Sequence, residues 1–450
     1  STMGDYDSIR DFMTGRNGGW GEPDVDDIDT PNVVKEDLLS YAEGVHSDLD
    51  NWIPPSHIEV IQIAGAGIKT VHAIEYDDCD IPFCADTLNH LDRELKETVR
   101  GDGTVVIPSA LWMSTTTPNV ERYYVDIDSS NTLFKRNRDH ASVLEIDSLQ
   151  EFIKNIVQNT RTLPDEFIQS NEPLIDGIRS FDFRLHSPVQ VHLYDELGNH
   201  TGLIENPDLS SGIRLYEKNI PNSYYREFGE VKYAGSDGLT PTTLILLGED
   251  LGTFTLEINE TYGDDVVTTT SFINIPVMAS TIAIMTIPAG GFSVDNPPML
   301  EVDIESDGVV DAVLTAGEGI ETLSLELLSD VIEAMNMQKG LKKDLTEKIK
   351  EAKKAYGKGK IKEAVKKLDE VIKKLEKEIG KNLESNEEKD DHKDGSGKHN
   401  DENKDNEKKE REPGNEHNKD NEKEDKQKIS TEDAQKLIEI LQKIKANVVE

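Results

Sequence analysis

A chain of 450 residues exceeds what one ordinary hydrophobic core fills, so two to four domains are expected. Lys and Arg number 49 against 89 Asp and Glu, and the formal net charge of -40 argues against a nucleic-acid backbone as partner. No apolar run reaches the length of a transmembrane segment.

Residues 1 to about 50 are polar, acidic and Gly-rich, with one helix expected near Val33 to His46. No charged-then-apolar leader opens them, which says nothing about export if the N-terminus is truncated. Trp52-Ile53-Pro54-Pro55 leads into a β-branched run from Ile58 to Ile63 that ends in Gly65-Ala66-Gly67. A short Ile/Val run bounded by Pro and Gly predicts a buried parallel strand, and its glycines suit close backbone approach at the strand's C-terminal edge. A third glycine and a following helix are missing, which excludes a dinucleotide fingerprint. Cys79 and Cys84, the two cysteines of the chain, are either a small disulfide loop or two reduced thiols. No second Cys/His pair stands at zinc-ligand spacing.

The segment Arg100-Gly101-Asp102-Gly103-Thr104-Val105-Val106 holds one carboxylate at a glycine-flanked loop tip. Farther on, Arg138-Asp139-His140-Ala141-Ser142-Val143-Leu144 presents an imidazole just before an apolar, helix-like run. From the residues alone, Asp102 is a β-turn aspartate or an acid that orients a histidine. His140 is a loop histidine or that partner. The order, and the Gly-Asp-Gly-Thr-Val context, resemble the lipase branch of α/β-hydrolases typified by lecithin:cholesterol acyltransferase, in which acid precedes histidine. The strand ending in Gly-x-Gly falls in family order as well. The resemblance implies hydrolysis of a lipid or other ester through an acyl-enzyme, with His140 as base then acid and Asp102 orienting it. It also implies a secreted or cell-surface setting, and a lid in the N-terminal region where a plain connecting loop is the alternative.

No serine here is flanked by glycines two positions away on both sides, as a nucleophile elbow requires. Ala234-Gly235-Ser236-Asp237-Gly238 comes nearest, but it follows His140 and reads as a hairpin turn. Residues 1–165 are therefore expected to be the C-terminal part of an α/β-hydrolase domain, closed by a helix over Leu149 to Val157. The serine would lie upstream of residue 1, and the chain by itself would be inactive.

Pro164 and Pro173 break the pattern, and a boundary is expected between 165 and 178. Beyond it the period changes to two: Phe181 to Leu185, Val189 to Tyr194, Thr243 to Leu247, Thr253 to Ile258, Val266 to Ile273 and Thr281 to Ile287 read as strands. An antiparallel β-sandwich over 178–290 is expected, resembling accessory domains of extracellular bacterial hydrolases. Residues 291–322 form a strand and acidic loop. Asp303, Glu305, Asp307 and Asp311 are either a Ca²⁺ loop or an acidic β-turn. An EF-hand is excluded because its twelfth position is Leu314 and the flanks read as strands.

Residues 323–382 read as helices, with Leu341, Leu345, Ile349, Ala352 and Ala355 on one face and Ala364, Val365, Leu368, Ile372 and Leu375 on another. Gly357-Lys358-Gly359 between them predicts an antiparallel helical hairpin. Residues 340–382 carry 15 Lys against 8 Asp and Glu. Such a face is either solvated or in contact with an anionic cell wall, membrane surface or the acidic body of the same chain. Residues 383–428 hold almost nothing apolar and are expected to be disordered. Ser430 then caps a last helix through Leu437, Ile438, Leu441 and Ile444. These helices resemble the FIMAH-type module of secreted bacterial proteins, here split by the charged insert.

The fold class expected is thus multidomain: part of an α/β sheet, an all-β sandwich, and a helical module with a disordered insert. Two functions compete, a secreted lipase- or esterase-like hydrolase and a non-catalytic surface or adhesion protein on the same scaffold. A calcium-stabilised stalk is a third.

Overall fold

The computed structural model describes residues 5–14, 34–50, 52–78, 91–114, 116–174, 179–186, 188–207, 213–229, 231–316, 320–390 and 428–449. Cys79 and Cys84 lie outside the described residues. The chain divides into two compact units, Ser1–Leu323 and Ser324–Glu450. The boundaries expected at 165–178 and near 291 both fall within the first.

Two helices open that unit, α1 (Tyr6–Met13) and α2 (Glu36–Leu49), tied by an ion pair between Arg10 and Glu36. Strand β1 (Val60–Ala66) follows, then a hairpin of β2 (Thr70–Asp78) and β3 (Leu91–Thr98). Next come α3 (Ile107–Ala110), β4 (Val120–Asp126), α4 (Ile127–Phe134), a 3₁₀ turn at His140–Glu145, α5 (Asp147–Val157) and β5 (Ile168–Gln169). Strand β1 pairs in parallel with β4, from Val60 opposite Val120 to Ala66 opposite Asp126, and β5 closes the far side of β4 antiparallel. Alternation along a strand sends side chains to both faces. Tyr123 and Val125 of β4 pack with Leu149 and Phe152 of α5, while Ala64 and Ala66 of β1 pack with Ile107 and Leu111 on the other face. Cover on both faces is what parallel pairing needs and why the sequence reads there as a near-continuous apolar run.

Among the described residues, twelve strands complete the first unit. They are β6 (Arg179–His186), β7 (Val189–Asp195), β8 (His200–Ile204), β9 (Leu215–Lys218), β10 (Tyr224–Phe228), β11 (Val231–Ser236), β12 (Thr242–Gly248), β13 (Gly252–Tyr262), β14 (Asp265–Val277), β15 (Ile282–Ile287), β16 (Met299–Asp303) and β17 (Ala312–Thr315). They form two antiparallel sheets, ordered β10-β11-β6-β13-β14 and β17-β16-β15-β12-β7-β8-β9. The period-two pattern explains the core. Phe181, Phe183 and Leu185 of β6 are buried, as are Val189, Val191 and Leu193 of β7, each set on one side of its strand. Strands β8 to β11 escaped sequence reading because they are short and rich in Tyr, Glu and Gly rather than alternating aliphatics. The segment after residue 290 is a hairpin that extends the seven-stranded sheet, with Leu300 opposite Leu314.

The second unit comprises α6 (Ile320–Ala334, which begins just inside the first), α7 (Lys339–Tyr356), α8 (Ile361–Asp390) and α9 (Thr431–Val449). Leu341, Leu345 and Ile349 of α7, Ala364, Leu368, Val371 and Leu375 of α8, and Leu437, Leu441 and Ile444 of α9 are buried. Val371 takes the core position expected for Val365, which is half-buried. Disorder beginning at 383 is corrected: α8 continues to Asp390. Its last residues are mostly Glu, Lys and Asn with neither Pro nor Gly, a composition that extends a helix already nucleated by packing. The rest of that insert, 391–427, lies outside the described residues.

Candidate active site

The loop after β3 is built to hold one carboxylate. Gly101 pairs with Val106 and Asp102 bridges to Ile68, so the Gly-Asp-Gly turn is stitched to the end of β1. Thr70, fully buried, accepts the Gly103 amide on Oγ1 at 2.8 Å and donates to the Ile68 carbonyl at 2.7 Å. A Cβ on Gly101 would stand 2.4 Å from that oxygen, and Gly103 holds a φ of +97°. Both glycines are therefore conformational requirements. Within the turn, Asp102 Oδ1 accepts from the amides of Thr104 at 3.1 Å and Val105 at 2.8 Å. The second oxygen, Oδ2, lies 2.9 Å from His140 Nδ1.

His140 arrives from the other parallel strand. After β4 the chain runs through α4, whose C-cap Lys135 takes left-handed backbone. The next residues are clamped by Asn131, itself fully buried: its Nδ2 donates to the Arg138 carbonyl at 2.9 Å and its Oδ1 accepts the Arg138 amide at 2.8 Å. Asn137 Nδ2 reaches the carbonyls of Lys218 and Ser223, both at 3.0 Å, fastening the loop to β9 and the turn before β10. Asp139 caps the 3₁₀ turn through the Ala141 amide, with Ser142 returning the bond to the Asp139 amide. Burial works to raise the Asp139 carboxyl, but Lys218, 2.5 Å away, and the capping donors outweigh it and leave the group below its ordinary value. The His140 amide then donates to the Asp102 carbonyl at 2.7 Å, so backbone and side chain both bind the two loops.

The pair is asymmetric. The Asp102 side chain is 9% exposed, and that of His140 is 48% exposed. An imidazole that donates Nδ1–H to the carboxylate keeps a lone pair on Nε2 when it is neutral. Such a group can take a proton from a hydroxyl placed against it.

Sequence reading singled out Asp102 and His140, and the fold brings them together. It did not find Thr70, Asn131, Asn137 or Lys218, because Thr, Asn and Lys are common in loops and their partners lie far away in sequence. Ser236 ends strand β11 and is 2% exposed, with no helix after it, so it has none of the geometry of a nucleophile elbow. The acidic residues of 303–311 serve their own hairpin. Asp303 accepts from the amides of Asp307 and Gly308, Asp307 Oδ1 from Val309, and Asp311 Oδ2 from Ile304, while Glu305 is exposed. Among the described residues, no group of three or more His, Cys, Asp or Glu side chains is gathered as a metal cluster. Nor is any helix among them long and apolar enough to cross a membrane.

Protein-family models, curated proteins and solved structures yield no match to this chain.

Proposed function

We propose that this chain supplies the acid and the base of an acyl-transfer triad in a lipase- or esterase-like hydrolase of the α/β type. The observation that carries the reading is the 2.9 Å contact between His140 Nδ1 and Asp102 Oδ2 beyond the C-terminal ends of parallel β1 and β4. In open α/β sheets that edge is where sites assemble. His140 takes the proton of a nucleophilic hydroxyl through Nε2 and returns it to the leaving group. Asp102 holds the ring and stabilises the imidazolium. The nucleophile and oxyanion-hole donors come from a segment outside these 450 residues, set beside β1, which pairs on one side only among the described residues. The antiparallel sheets act as an accessory sandwich that steadies the histidine loop through Lys218 and Ser223. A carboxylic ester, lipid or smaller, is the substrate, and a secreted or surface location belongs to the same reading.

The test is fluorophosphonate labelling of the natural polypeptide, followed by peptide mapping. A labelled serine outside residues 1–450, with labelling lost in H140A, supports the proposal. No labelling, or labelling indifferent to His140, sinks it.

A further inference from the structure

A second group of oxygens lies between α4 and the end of β11. A small cavity there, about 30 Å³ in volume, has Asp128, Asn222, Ser236 and Asp237 in its wall. That volume suits one water or one ion. Asp128 stands in the first turn of α4, packed so closely on Gly67 that a Cβ on the glycine would lie 2.7 Å from the Asp128 Cβ. Among the described residues its carboxylate has neither a hydrogen-bond donor nor a paired cation, only burial and the charges of Asp126 and Asp237, which together push it up to about 7. Asp237 is also raised by burial, against the Leu239 amide that its Oδ1 accepts at 3.0 Å, the Asn222 side-chain amide and the charge of Lys135.

Two cationic residues share the wall, and both are committed elsewhere. Lys69 Nζ is 3.1 Å from Asp182, and Arg179 is 2.5 Å from Glu260. Two neutral oxygens, in contrast, have nothing to bind. Ser236 is 2% exposed and its Oγ has no hydrogen-bond partner, and Asn222 Oδ1 is likewise buried without one. Buried polar groups are nearly always satisfied, so unpartnered oxygens beside two carboxylates point to a ligand that accepts lone pairs.

We propose that this cavity is a cation site, in which the Asp128 and Asp237 carboxylates, with Ser236 Oγ and Asn222 Oδ1, hold a hard divalent cation of the Ca²⁺ class. An all-oxygen set with two negative charges suits Ca²⁺, whose flexible shell takes carboxylates in bidentate fashion beside neutral oxygens. Soft thiolate- or imidazole-seeking metals find no ligand there. The ion would tie α4, which follows β4, to the turn after β11, and so stabilise the folded first unit by mass action. Neither Asp102 nor His140 is in the wall of this cavity.

The experiment is thermal unfolding of the whole chain at neutral pH, stripped with EDTA and then given CaCl₂ or NaCl at equal ionic strength. A rise of several degrees in CaCl₂ alone is expected. It disappears in D128N and persists in D303N/D307N, which alters the other acidic loop. A rise shared by NaCl is screening of the net charge and overturns the proposal, as does a Ca²⁺ response that survives D128N. Should D128N fail to fold, S236A removes one oxygen ligand while sparing the carboxylates. Its apparent Ca²⁺ affinity should fall several-fold, and an unchanged affinity counts against the site. Tb³⁺ offers a direct readout through Tyr224, which also lines the cavity: sensitised emission displaced by Ca²⁺ is expected, and emission undiminished in D128N is the contrary result.

Discussion

Gly65 has no room for a side chain because Asp102 lies against it. A Cβ at Gly65 would stand 2.7 Å from the Asp102 Cβ and 2.6 Å from Ile127 Cδ1. The neighbour on one side is the Asp102 Cβ, fixed to its own backbone, and on the other the terminal methyl of Ile127, which full burial keeps from swinging away. Gly65→Ala should therefore shift the acid loop and cost about 1–3 kcal/mol, the usual range for overpacking. Urea unfolding measures the loss. The downfield Nδ1–H resonance of His140 reports whether the hydrogen bond to Asp102 survives, and an unshifted resonance with unchanged stability would contradict this account.

Removing the acid itself separates orientation from fold. On the proposed triad, Asp102→Asn should reduce kcat by roughly 10⁴, because the amide favours the wrong imidazole tautomer. Ester-hydrolysis kinetics with wild type and variant read this directly. A loss below tenfold would mean that His140 does not depend on Asp102.

Asn131 is the structural lock of the histidine loop. Asn131→Ala leaves the Arg138 amide and carbonyl without their side-chain partners, at a cost of about 1–3 kcal/mol. Asn131→Asp keeps the acceptor but turns a second oxygen on the Arg138 carbonyl in a fully buried site, and should cost at least as much. Because the loop ends at His140, hydrogen exchange of the Ala141 and Ser142 amides should quicken in both variants.

Acid should weaken the β-sheets through His192. Its Nδ1 lies 2.9 Å from His200 Nε2, and burial, then the charge of His200, hold its pKa down at about 4. An unfolded histidine protonates near 6.5. Between those values the unfolded chain binds more protons, so stability is full above about pH 6.5 and declines as pH falls through 4, by up to roughly 3 kcal/mol. His192→Gln should flatten that slope in chemical denaturation followed across pH. A slope unchanged by the substitution would assign the acid sensitivity to other groups.

Leu368 tests the helical unit. It is fully buried on α8, and Leu368→Ala should cost about 2–5 kcal/mol through lost burial and the cavity left behind. Calorimetry or urea unfolding monitored by helical circular dichroism measures it.

Much of this molecule is written locally. Period-two alternation marked β6, β7, β12 and β13, because a half-buried strand must alternate. The 3.6-residue spacing of Leu341, Leu345 and Ile349 marked α7 for the corresponding helical reason. Asp102 and His140 stood out because glycines around the one, and an apolar turn after the other, shape the backbone within a few residues. What residue order left open was every relation across distance. Val60 meets Val120, Asn137 meets Ser223 and Asp128 shares a cavity with Asp237 only once the strands have chosen partners. Those choices depend on burying both faces of β1 and β4 and on closing two antiparallel sheets, energies summed over many side chains that no short motif encodes.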